Sequence, residues 1–302
     1  MQPLIARRRR VAGDSAGMVP AIRPPSLSLA KGINMMRTTL TLFSLAALGA
    51  CSTAPMTPKA PPAAVADLAP SGKLRAAINF GNPILASRDA TTGEPGGVSV
   101  DLSRELARRL GVPVEFVTYS AAGKVVQGLK SDAWDVAYVA IDPARAVDMT
   151  YTEPYVVIEG AYLVPQGSPI TSNAEVDQKG VRVVVGAGSA YDLYLTREIK
   201  NAQIVRAPTS PAVTDMMLAQ SFEVAAGVKQ QLEADAKRIP GLRLLDGRFM
   251  VINQAMATPK RRAAGARYLA EFIEEMKASG FVANALTRHG IAGAAIAPPA
   301  AR

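Results

Sequence analysis

From Gly72 to Ile296, short runs of β-branched and aliphatic residues alternate with stretches whose apolar positions recur every three or four residues. That alternation is the pattern of βαβ units and predicts an α/β fold. Leu74 to Phe80 and Val114 to Tyr119 read as strands flanking a helix from about Val100 to Leu110. In that helix Leu102, Leu106 and Leu110 fall four apart, and Gly111 provides the stop. Val136 to Ile141 is continuously apolar, as a strand covered on both faces should be. A second set begins with a strand at Val181 to Val185, a helix from about Ala190 to Ile199 and a strand near Ile204. Ser210-Pro211 then opens a helix, since proline suits the first helical position after a serine cap. A strand at Val224 to Val228, a helix at Lys229 to Ile239, a strand at Phe249 to Met256 and a long helix from about Pro259 to Ser279 complete the pattern. The result is two α/β sets and no repeat of solenoid length.

Outside this body the pattern changes. Residues 51–71 are rich in proline and alanine and predict a partly extended tether; residues 297–302 predict a disordered tail. Leu40 to Ala50 is an apolar run too short for the roughly 20 residues of a membrane-spanning helix, but suited to the apolar region of a secretory signal, with Met35, Met36 and Arg37 before it. The run ends in Leu48-Gly49-Ala50-Cys51, which resembles the bacterial lipobox, and Cys51 is the only cysteine. The reading is therefore a signal segment over residues 1–50 and a mature chain that starts at a lipid-modified Cys51 on the periplasmic side of the envelope. A buried free cysteine is the alternative. Residues 1–34 read as an over-extended start, against a true leader. With no second thiol there is no disulfide framework.

Charge supports the same division. The whole chain carries +9, but seven basic residues and one acid fall in residues 1–50, which leaves +3 on the remainder. The basic balance thus gives no reason to expect nucleic acid as a partner.

The runs GKLRAAINF, GGVSVDLSRELARRLGVPVEF, WDVAYVAIDPARAVDMTYTEPY and GVRVVVGAGSAYDLYL resemble, in order and spacing, the type 3 solute-binding proteins of ABC transporters, the polar amino-acid-binding group, over about residues 72–290. The resemblance implies a two-lobed Venus-flytrap fold with two crossing strands, at Ala161 to Pro165 and Phe249 to Gln254. Lobe 1 would comprise residues 72–161 and 254–296, and lobe 2 residues 162–253. It also implies a small-molecule ligand in the cleft, an ABC permease as partner and a monomer without cofactor.

The resemblance places candidate ligand residues as well. Arg145 matches the arginine that holds a ligand carboxylate, for which a planar two-pronged donor is suited; alone, it reads as a surface arginine paired with Asp142 on a helix that Asp142-Pro143 opens. Asp142 departs from the family's usual threonine and serves as a helix cap or is neutralised by Arg145. The segment from Asp135 to Arg145 is also shorter than in typical amino-acid binders. Gly188-Ser189 matches the step where backbone N–H groups meet the ligand anion, while Ser189 with Asp192 also reads as a helix cap. Glu223 stands where the family has an aspartate for the ligand ammonium, or is a solvated acid at a strand start. Asn82 and Tyr119 stand at aromatic sandwich positions, with a core role the alternative for Tyr119. Glu159 and Gln254 flank the crossings, and Trp134 reads as core.

Two other classes stay open. A periplasmic dehydratase of cyclohexadienyl substrates would need a general acid or base in the cleft, with Glu223, Glu159 or Asp142 as candidates. A ligand-sensing envelope lipoprotein would use the same clamp. His289, alone near the C-terminus, makes no metal site.

Overall fold

The structure is a computed structural model that describes residues 60–301; the signal segment and the proposed tether from Cys51 to residue 59 lie outside the described residues. In chain order the elements are α1 (Pro62–Leu68), β1 (Leu74–Asn79), β2 (Ser87–Arg88), β3 (Pro95–Gly96), α2 (Val98–Leu110), β4 (Val114–Tyr119), α3 (Ala122–Lys130), β5 (Val136–Ala140) and β6 (Met149–Pro165). There follow β7 (Arg182–Gly186), α4 (Ala190–Glu198), β8 (Gln203–Ala207), α5 (Val213–Ala219), β9 (Val224–Val228), α6 (Lys229–Arg238), β10 (Leu242–Leu244), β11 (Met250–Pro259), α7 (Ala263–Ala278), α8 (Phe281–Arg288) and β12 (Ala295–Ile296).

One large sheet runs in the order β4-β1-β5-β11-β6-β9-β7-β8. In its first half β1 pairs in parallel with β4 and β5, and in its second half β7 pairs in parallel with β8 and β9. The antiparallel pair β6 and β11 joins the halves: β11 pairs with β5 from Gln254 to Ala257, and β6 pairs with β9 from Gly160 to Leu163. The β6–β11 register shifts between Gln254 and Ala257, an irregularity of the kind that re-aims side chains.

The continuous apolar runs are explained by helices on both faces. In β5, Val136, Tyr138 and Ala140 enter one apolar cluster while Ala137 and Val139 enter another with Val125 and Trp134. In β7, Val183 and Val185 join the first cluster, and Val184 packs with Leu163, Met217 and Leu232. Successive side chains point to opposite faces and both faces are dry, so polar alternation is absent.

Four expectations need correction. Within the range expected to be a tether, Pro62–Leu68 forms α1, which buries Ala64 and Leu68, and Ala60 is buried as well. Pro62 sits at the start, where a missing N–H costs nothing, and Asp67 Oδ2 accepts from Gly265 N at 2.9 Å, near the start of α7. Second, the C-terminal residues are held: β12 pairs with Val156 and Val157 of β6, and Lys277 Nζ donates to Pro298 O at 2.9 Å. Third, Ser210–Ala212 forms a single 3₁₀ turn before α5. Finally, the long C-terminal helix begins at Ala263 because Pro259 still belongs to β11, and α8 follows after Gly280 in a left-handed conformation.

Candidate functional site

The carboxyl ends of the parallel strands of both halves converge on one cleft, the usual place for ligands in open α/β sheets. It holds a cavity of about 40 Å³ bounded by Asn79, Asn82, Tyr138, Arg145, Ser189, Tyr191, Ser210 and Gln254, with apolar walls from Val139, Val228 and Ile252. Among these described lining residues Arg145 is the one charged side chain.

Arg145 is only 4% exposed. Its Nη1 donates to Ala140 O in the first half at 3.0 Å and its Nη2 to Gly188 O in the second half at 2.8 Å. Nε, also buried, has no protein partner. Burial pulls the guanidinium below its ordinary value, opposed by the electrostatic influence of Tyr151 and Asp142. The expected Arg145–Asp142 pair does not form, and no helix opens there: residues 143–148 make turns. Asp142 is also buried, but Oδ1 accepts from Ala144 N at 2.9 Å and Oδ2 from Arg197 Nη1 at 3.0 Å. The Asp142–Arg197 pair ties the first half to α4 of the second.

Gly188 lies at φ +69° against Gly123 of α3, so close that a Cβ on Gly188 would fall 2.7 Å from Gly123 Cα. Glycine serves twice here, for the left-handed backbone and for the approach of the two halves. Its N–H, which the resemblance assigned to an anion, is spent on Asp192 Oδ2 at 2.8 Å. Ser189 caps α4 through Asp192 N at 3.0 Å and also borders the cavity, so both of its readings hold geometrically.

Glu223 lies elsewhere. Its Oε2 accepts from the backbone N and Nε of Arg182 at 2.8 and 2.9 Å, and Oε1 accepts from Nη2 at 2.6 Å. An equivalent clasp stands in the first half, where Asp135 Oδ2 accepts from Arg75 N at 2.9 Å and from Nε at 3.1 Å. Each arginine also donates to the carbonyl of a positive-φ residue, Asp132 or Ser221. Glu223 thus fastens a strand start and is absent from the cavity wall. Tyr119 is likewise out of the cleft, packed beside Trp134 and Val125; Trp134 is fully buried and donates to Val125 O at 2.8 Å. Glu159 is engaged by Lys229 and Arg248.

Asn82 is in the wall, 8% exposed, and its Oδ1 has no protein partner. Gln254 joins it from β11, at the register shift. Sequence reasoning did not single out Tyr138, Tyr191, Ser210 or Ile252. The available signal was position: Ser210 follows β8 as Ser189 follows β7. Among the described residues no group of three or more His, Cys, Asp or Glu is placed to hold a metal ion.

The family model of bacterial extracellular solute-binding proteins, family 3, matches residues 74–290. Among solved structures, a binding component of an ABC transporter from Wolinella succinogenes complexed with lysine is 22% identical, with a TM-score of 0.63 over 72% of this chain and 95% of that one. The solute receptor for L-cysteine of Neisseria gonorrhoeae is 23% identical, with a TM-score of 0.66 over 74% and 92%. An ancestral amino-acid-binding protein described as a precursor of cyclohexadienyl dehydratase is 19% identical, with a TM-score of 0.64 over 74% and 98%. No curated protein matches the chain in sequence.

Proposed function

Because the chain belongs to the bacterial extracellular solute-binding proteins of family 3, we propose that it captures a small carboxylate-bearing ligand, an amino acid or a related acid, at Arg145 and presents it to an ABC permease. The observation that carries this reading is the buried guanidinium that bridges the two halves of the sheet and keeps Nε unpartnered. A buried cation is costly without an anion beside it, and a charge-assisted bond to a carboxylate supplies one. Residues 72–161 with 254–296 act as one lobe and residues 162–253 as the other. The ligand favours closure to the extent that it binds the closed form better than the open one.

Capture is preferred over turnover because the carboxylates considered for catalysis are engaged: Glu223 by Arg182, Glu159 by Lys229 and Arg248, and Asp142 by Arg197. A thermal-shift panel of amino acids, polyamines and organic acids identifies the ligand, since a compound at 100 times its Kd stabilises by about 2.7 kcal/mol. With that ligand, Arg145→Ala weakens binding by roughly 10- to 100-fold, as loss of a charged hydrogen bond of about 1.5–3 kcal/mol requires. Unchanged affinity by calorimetry would refute the assignment.

The receptor works as a monomer on the periplasmic side, anchored by lipid on Cys51. The Leu48-Gly49-Ala50-Cys51 run motivates the anchor. Labelled fatty acid should enter the wild-type chain and not Cys51→Ser; equal labelling of both would remove the anchor and leave the receptor reading intact.

A further inference from the structure

The wall of the cavity carries one cation and, among the described residues, no carboxylate. The nearby acids are committed: Asp142 to Arg197 and Ala144 N, and Asp192 to Gly188 N, Thr196 Oγ1 and Arg206 Nε. Glu223, the acid assigned to a ligand ammonium, lies on Arg182 away from the cavity. Closure around a zwitterion would therefore bury Arg145 with a net charge of +1, whereas closure around a monoanion would bury a neutral pair. Net buried charge is strongly unfavourable, so the electrostatics select against an ammonium group. The other unpartnered polar atoms in the wall besides Arg145 Nε are Asn82 Oδ1 and the Tyr191 hydroxyl; the amide oxygen is an acceptor that a neutral ligand hydroxyl satisfies.

Space acts in the same direction. A water molecule needs about 10–15 Å³ of such space, so the 40 Å³ of the cavity holds about three waters and suits a compact head group. On the basis of the receptor reading above, we infer that the ligand is a small hydroxy-monocarboxylate, on the order of two or three carbons, with its carboxylate at Arg145 Nε and its hydroxyl at Asn82 Oδ1, rather than an amino acid.

The test compares isosteric pairs, glycolate with glycine and lactate with alanine, by calorimetry on the full-length protein. The hydroxy acids should bind at least about tenfold more tightly than their amino counterparts, a difference of about 1.4 kcal/mol. Gln254→Glu adds a carboxylate to the wall and should move the preference from lactate toward alanine. Should that variant fold poorly, Asn82→Asp adds the same charge from the loop after β1. Amino acids that bind the wild type as well as or better than the hydroxy acids would overturn this inference and leave the receptor reading standing. If no carboxylate in either pair or in the wider panel binds, the receptor reading falls, and the inference with it.

Discussion

Glu223 shows how one side chain supports opposite readings until its neighbours are known. As a lone acid before a strand it matches a ligand-binding position; in space it repeats, in the second half, what Asp135 does in the first. Bonds from Arg182 hold its carboxyl below the usual carboxylate range, against a smaller opposing effect of burial. A lowered folded pKa means that its contribution to stability is complete above the ordinary glutamate value and is lost as pH falls through the lowered one. Glu223→Gln should therefore cost about 1 kcal/mol at neutral pH, after allowance for a partly exposed pair, and should cost little in acid below the lowered value. Ligand affinity should not change. Urea melts at two pH values with calorimetry check this; weakened binding without lost stability would return Glu223 to the cleft. Arg145 was singled out by the resemblance alone, since by itself it reads as a surface residue, and its burial in the cavity wall emerged only from the structure. Its true partners, Ala140 O and Gly188 O, were not legible either, since backbone carbonyls leave no mark in a sequence.

Elements were legible in proportion to their periodicity. Strand β9 falls on the five residues expected, and α2 begins two residues before the expected Val100 and ends on Leu110 with Gly111 left-handed after it. Helix α1 was invisible because proline and alanine dominate it, and at seven residues it is too short to hold on its own propensity. It exists by docking. Leu68 is fully buried, and a Cβ at Gly265 would sit 2.8 Å from Leu68 Cδ2, so a side chain on α7 would lift α1 away. Leu68→Ala should cost about 2–3 kcal/mol, at the low end for such truncations because α1 can detach before the whole body unfolds. Hydrogen exchange at residues 64–69 should accelerate well before the rest of the chain; unaltered protection there would show that the docking contributes nothing.

For the whole molecule, the strand order emerged only from the structure, because β6 and β11 each serve both halves and local pattern cannot show two memberships. Closure is written in backbone as much as in side chains. Gly123 meets Gly188, Arg145 holds a carbonyl from each half, and Asp142 reaches Arg197 across the cleft. The docking of α1 bears on a different property, the volume that the receptor can search. If lipid holds Cys51, the segment between it and α1 ends at Pro61 rather than at residue 71. At no more than about 3.6 Å per residue its span drops from about 70 Å to about 36 Å. Halving a radius cuts the accessible volume about eightfold, so the short helix raises the effective concentration of receptor at a membrane-embedded permease by a similar factor.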